Sequence, residues 1–99
     1  LGPGAALRAE AARVLVAVLD EGRSLKAVLS AALPRIADPR DRGLLEALVF
    51  AALRHERRYA FVLSRWLSRP LPTGSAKDRA VARLLLVGLA QLDALGMAP

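Results

Sequence analysis

Residues 38–59 read DPRDRGLLEALVFAALRHERRY. The stretch sets a nearly uncharged run, Leu44 to Leu53, between two groups of arginines, and its reading decides the fold. Asp38 is a good N-cap, Pro39 suits the first helical position, and Asp41 falls at the positive end of the helix dipole. From Leu44 to Leu53 apolar side chains cover most of the circumference. Only Glu46 and Phe50 point outward, with Arg42 and Arg57 at the ends. A helix apolar nearly all round lies in the centre of a bundle. No Pro or Gly follows until after Ser68, yet one helix from Pro39 to Ser68 would be ~45 Å long. That is too long for a compact domain of this size, so a kink or short turn is expected near Arg54 to Arg58. In the fourth helix beyond it, Tyr59, Val62, Leu63, Trp66 and Leu67 form the inner side. Phe61 projects the other way, among Arg58, Arg65 and Ser68.

Upstream, a first helix is expected over about Ala5 to Glu21, ending at Gly22. Val14, Leu15, Val18 and Leu19 share one side at 100° per residue, with Glu10, Arg13 and Asp20 opposite. Arg8 breaks the pattern, projecting beside Leu15 and Leu19. Residues 1–4 read as a flexible lead-in, and a vector-derived remnant would look the same. A second helix runs from Ser24, as N-cap, to Leu33, where Pro34 stops it. Downstream, RPLPTGSAKD is a loop, and a last helix spans about Ala76 to Leu95. It is apolar around most of its surface from Leu84 to Leu92, which makes it a second central helix. Three short amphipathic neighbours do not readily cover two such helices, so a further piece of the fold is expected after the closing GMAP. A core left open in that way would be sticky and favour self-association.

No segment alternates with period two, so the fold class is all-α, a bundle of about five helices lacking its closing C-terminal helix. Ninety-nine residues suit one domain, here residues 5–99. The chain has no cysteine, which excludes disulfides, thiolate ligands and cysteine nucleophiles and fits a cytoplasmic protein. Its longest uncharged run, Leu84 to Leu92, is too short to span a bilayer, and no targeting signal is visible. The formal charge is +6, and 13 of the 15 basic residues are arginine. Arginine's planar fork suits phosphate, although a GC-rich genome writes Ala-, Leu- and Arg-rich chains for any function. Position is more telling, because residues 35–75 carry eight basic and four acidic groups while both flanks are nearly balanced.

Arg8, Ala11, Val14 and Leu15 form the pattern R-x-x-A-x-x-V-L. With Ser24-Leu25, the 38–59 stretch, Arg69-Pro70-Leu71 and the terminal LLLVGLAQLDALGMAP, the chain resembles the NusB-like domain from about Arg8 to Pro99. The last two features are most similar to the version that opens the Sun/Fmu type of bacterial ribosomal RNA cytosine-C5 methyltransferases. The resemblance implies an all-helical, RNA-related domain followed by a Rossmann-like domain that binds S-adenosylmethionine and carries catalytic cysteines. No cofactor is then expected in this fragment, and the expected partners are ribosomal RNA and its own C-terminal methyltransferase domain, with no membrane. Free NusB is an antitermination factor whose Arg-rich N-terminus contacts RNA. Only Arg8 and Arg13 stand in the matching region here.

The best basic patch is Arg54, Arg57 and Arg58, with Arg65 and Arg69 a few turns on. At helical spacing Arg54, Arg58 and Arg65 share one side and could follow a phosphate backbone, or form a plain solvated face. Arg8 and Arg13 are second candidates, Arg8 alternatively as a buried arginine paired with a carboxylate. Phe61 could stack on a base or cover a neighbouring domain or protein. His55 lacks His or Cys partners and reads as a hydrogen-bonded core histidine, and Trp66 and Tyr59 as core anchors. Asp38 and Asp41 read as helix-start devices, and Gly43, Gly88 and Gly96 do not form a phosphate loop. These residues point to a non-catalytic RNA-binding or substrate-docking module. The alternatives are a protein-interaction module and a free antitermination factor.

Overall fold

A computed structural model of the chain describes residues 3–96. It contains helices α1 (Pro3–Leu15), α2 (Leu25–Ala32), α3 (Pro39–Arg54), α4 (Glu56–Trp66) and α5 (Ala76–Asp93), with no strand among the described residues. Leu1, Gly2 and the residues 97–99 of the GMAP end lie outside the described residues. Helix α1 starts at Pro3 and runs into a π-helical turn, Val16–Asp20, that ends the segment where Gly22 adopts φ 69°. That left-handed conformation suits glycine and lets the Arg23 N–H reach the Ala17 carbonyl at 2.9 Å.

Local chemistry sets the helix starts. Ser24 Oγ accepts the Ala27 N–H at 3.3 Å, Asp38 Oδ1 the Arg40 N–H at 2.8 Å, and Ser75 Oγ the Asp78 N–H at 3.1 Å. Pro34 does not end the second segment abruptly. A 3₁₀ turn, Leu33–Arg35, carries it first, and Arg42 then braces the link by donating to the carbonyls of Ile36 (2.6 Å) and Ala37 (3.0 Å). The expected break falls at His55, whose φ −112° and ψ 16° lie outside the helical range, so the chain bends between α3 and α4.

Helix α3 is central, as its sequence requires: Leu45, Leu48, Val49 and Ala52 are at most 2 % exposed, while Phe50 is 49 % exposed. The second covered helix is α1, which packs on both α5 and α3. Ala11 and Leu15 there are fully buried and Val14 nearly so. The small Ala12 is buried there as well. Helix α5 is covered on one side only, through Leu86, Val87 and Ala90. Its Val81, Leu84, Leu85 and Leu92 are 38–50 % exposed. The three shorter helices thus leave part of this apolar segment uncovered, as the shortage of covering surface in the sequence predicts.

A polar tie holds the bundle together across 63 residues of sequence. Arg83 donates from Nε and Nη2 to the two oxygens of Asp20 at 3.0 and 2.9 Å, fastening the π turn to α5. Both side chains are about four-fifths covered. Hydrogen bonding from Arg83 holds the Asp20 carboxyl below its ordinary 3.8, outweighing the upward push of burial, and the charges of Arg83 and Arg79 add to the lowering. A carboxyl whose pKa falls on folding stabilises the fold above about 3.8 and loses that contribution as pH drops through the lowered value. Asp20→Asn should therefore lower stability at neutral pH by about 1 kcal/mol, the upper end for a partly exposed pair. Thermal melts should show the gap to the parent narrowing as pH is taken below about 3.8. A gap that stays constant down to strongly acidic pH would mean that the ion pair contributes nothing.

Candidate nucleic-acid interface

The bend at His55 decides how the arginines group. Arg54 closes α3, whereas Arg57, Arg58 and Arg65 belong to α4, so the helical spacing that joins Arg54 to Arg58 and Arg65 does not run through the break. Within α4, Arg57 and Arg65 flank Phe61 at 40° on either side, on a face about 12 Å long. Phe61 is 64 % exposed, and the Arg65 guanidinium carbon lies 5.9 Å from its ring centroid. Phe61 thus projects outward among arginines, as its position in the sequence predicts. Its neighbour Ser64 turns inward on the backbone, donating to the Phe61 carbonyl at 2.6 Å.

Ion pairing separates the candidates further. Arg54, Arg57 and Arg65 are exposed and pair with no carboxylate among the described residues. Arg58 is committed to Asp93 at the end of α5, and it also lies 5.5 Å from the Tyr59 ring centroid. Tyr59 is 2 % exposed and donates its hydroxyl to Asp93 Oδ2 at 2.9 Å. Burial, and next the hydrogen bond to the Asp93 carboxylate, push the Tyr59 pKa up, so the hydroxyl keeps its proton and goes on donating. Arg58, Tyr59 and Asp93 therefore fasten α4 to α5, which makes Arg58 a structural residue first.

The second-choice arginines divide as well. Arg13 donates to Glu10 Oε2 at 2.6 Å while Arg35 takes Glu10 Oε1 at 2.6 Å, so one carboxylate serves two cations. Arg8 is half-buried, with Nη1 3.2 Å from where a Cβ on Gly4 would stand, and no carboxylate among the described residues pairs with it. The carboxylate-paired reading of Arg8 is thus corrected, because Glu10, the nearest acid in sequence, is engaged by Arg13 and Arg35.

Two aromatic expectations also change. Trp66 projects beside Tyr59 on the inner side of α4, yet it is 72 % exposed. Periodicity gives a direction and not a neighbour, and Tyr59 is the only buried residue of α4. His55 is half-buried with its ring tilted 54° against Tyr59 at 5.7 Å, and its ring makes no hydrogen bond among the described residues. It packs as an aromatic beside Tyr59.

The all-α bundle carries a cationic, aromatic-bearing helix face, and its family is clear: residues 5–98 match the NusB family, to which the chain belongs. It is 55% identical over 92 residues to the ribosomal RNA small subunit methyltransferase B of Xanthomonas campestris, a match covering 93% of this chain and 20% of that protein. Similarity to the protein of the same name from Xylella fastidiosa strain Temecula1 is 52% over 99 residues, covering 100% and 22%. For the one from Erwinia tasmaniensis it is 40% over 86 residues, covering 87% and 19%. The chain spans about a fifth of the length of these curated relatives. No solved structure matches it. No helix among the described residues is long and apolar enough to cross a membrane.

Proposed function

We propose that this chain is the RNA-docking, non-catalytic N-terminal module of a small-subunit ribosomal RNA cytosine-C5 methyltransferase acting in the cytoplasm. The observation that carries the reading is the α4 face, where Arg57 and Arg65 stand free of carboxylates on either side of an exposed Phe61, with Arg54 likewise unpaired at the end of α3. Guanidinium groups without internal partners are available to phosphates, and an exposed ring between them gives an unpaired base a stacking surface. The family and the names of the relatives supply the RNA class. S-adenosylmethionine would be held by the catalytic domain of the parent protein.

Binding of the chain to a small-subunit ribosomal RNA fragment should fall steeply between 50 and 200 mM salt, as phosphate contacts require. Salt-independent binding, or none at low salt, would favour the second reading, a protein-docking surface centred on Phe61. That reading draws its support from the ring's exposure.

We also propose that the domain is completed by further helical chain over the second half of α5, where Leu85 and Leu92 lie open. The relatives are about five times longer than this chain, which leaves room for it. Isolated, the 99-residue chain should then self-associate reversibly at high concentration. Sedimentation of a strict monomer there would count against an uncovered core face.

A further inference from the structure

A second surface is untouched by the arginine face. Between α1 with its π turn, α2 and the first half of α5 lies an open trough of about 600 Å³. Its floor includes Ala12, Ala17, Val28 and Ala32, all buried and with apolar side chains. One wall is formed by Val81 and Leu84 of α5, each 45 % exposed. The Asp20–Arg83 pair ties the π turn to α5 and so holds two sides of the trough at fixed spacing.

The rim is cationic. Arg13, Arg23, Arg35 and Lys77 stand around the trough against two carboxylates, Glu10 and Glu21. Each oxygen of Glu10 is already taken, one by Arg13 and one by Arg35. Arg23 and Lys77 pair with no carboxylate among the described residues. An apolar floor between cationic edges is the complement of a helix with one apolar stripe flanked by acidic residues. An RNA strand would satisfy the rim but leave the alanine and valine floor uncovered.

We propose that this trough docks an acidic amphipathic helix from a separate protein. The charge argues for a separate chain, since a cationic rim speeds diffusional encounter, whereas a tethered segment already has a high local concentration and needs no steering.

The test uses the full chain and a synthetic 18-residue helical peptide with leucines at i, i+3, i+4 and i+7 and glutamates on both flanks. A twin peptide carries lysine at every glutamate. Fluorescence anisotropy should show the acidic peptide binding at least tenfold more tightly than its twin, with affinity falling as salt rises. The double variant V81D/L84D changes only exposed positions and should lose at least tenfold in affinity for the acidic peptide. The parent's helical content and binding to a ribosomal RNA fragment should be retained. Arg57→Ala should leave peptide binding unchanged. Equal binding of the twins, no binding of either, or peptide binding indifferent to V81D/L84D would overturn the proposal. So would a loss of RNA binding in V81D/L84D matching its loss of peptide binding, because the trough would then belong to the RNA surface.

Discussion

Truncating Leu45 to alanine should lower the unfolding free energy by about 3 kcal/mol, a loss typical of emptying a leucine-sized site in a packed core. Leu45 is fully buried and belongs to α3, the helix that packs against both α1 and α5. A cavity there opens in the one buried cluster to which α1, α3 and α5 all contribute. The domain's total stability is on the order of 5–15 kcal/mol, so a deficit of that size moves the thermal midpoint by more than about 10 °C. Phe50→Ala makes the internal comparison. It deletes a larger side chain five residues on, but one that is 49 % exposed, and should cost less than about 1 kcal/mol. Urea denaturation of the two variants with unchanged m-values decides the matter. Equal losses at both positions would mean that α3 does not lie at the centre of the bundle.

That contrast between Leu45 and Phe50 is visible in the residues 38–59, and so is much else of the fold. Asp38 and Ser24 act locally, through side chains that meet backbone N–H groups two or three residues away, so their capping roles can be read directly. The bend at His55 followed from a length argument, and Gly22 from its conformational freedom. What local chemistry does not encode is which neighbour faces which side. Helix α1 buries Ala11, Ala12, Val14 and Leu15 against its neighbours, whereas α5 keeps Val81, Leu84, Leu85 and Leu92 exposed. Trp66 follows the same rule, pointing where Tyr59 points but meeting nothing that buries it. The site was legible to the same depth. A cluster of basic residues marks the surface, but its sorting depends on carboxylates far along the chain. Arg58 is engaged by Asp93, 35 residues away, and Arg83 by Asp20, 63 residues away. The Glu10–Arg13 pair, three residues apart on one helix, is the exception that spacing could have shown. The cationic trough is not legible in the sequence, because Leu84 opens an apolar stretch that reads as core, and only the exposure of Val81 and Leu84 reveals a surface.

Replacing Arg54, Arg57 and Arg65 together by alanine should weaken binding to a small-subunit ribosomal RNA fragment by ten- to a hundredfold at low salt. The salt dependence carries the sharper signature. A guanidinium that neutralises a phosphate releases condensed counterions, and each contact to a single strand contributes about 0.7 to the slope of log affinity against log salt. Losing three contacts should flatten that slope by about 2. Arg58 and Arg13 provide the contrast, since both guanidiniums already face carboxylates and have less to offer a phosphate. Arg13→Ala, which releases Glu10 to Arg35 alone, should change RNA affinity less than threefold and leave the slope within error. Arg58→Ala should act mainly on stability, because it strips Asp93 of its cation while Tyr59 still donates to it. Phe61→Ala separates stacking from charge: affinity should fall while the slope stays fixed, since no phosphate contact is removed. If Arg13→Ala and Arg58→Ala reduced affinity and slope as much as the variants of the unpaired arginines, ion pairing inside the domain would not govern which cations reach the RNA. The α4 face would then have no special claim to be the interface.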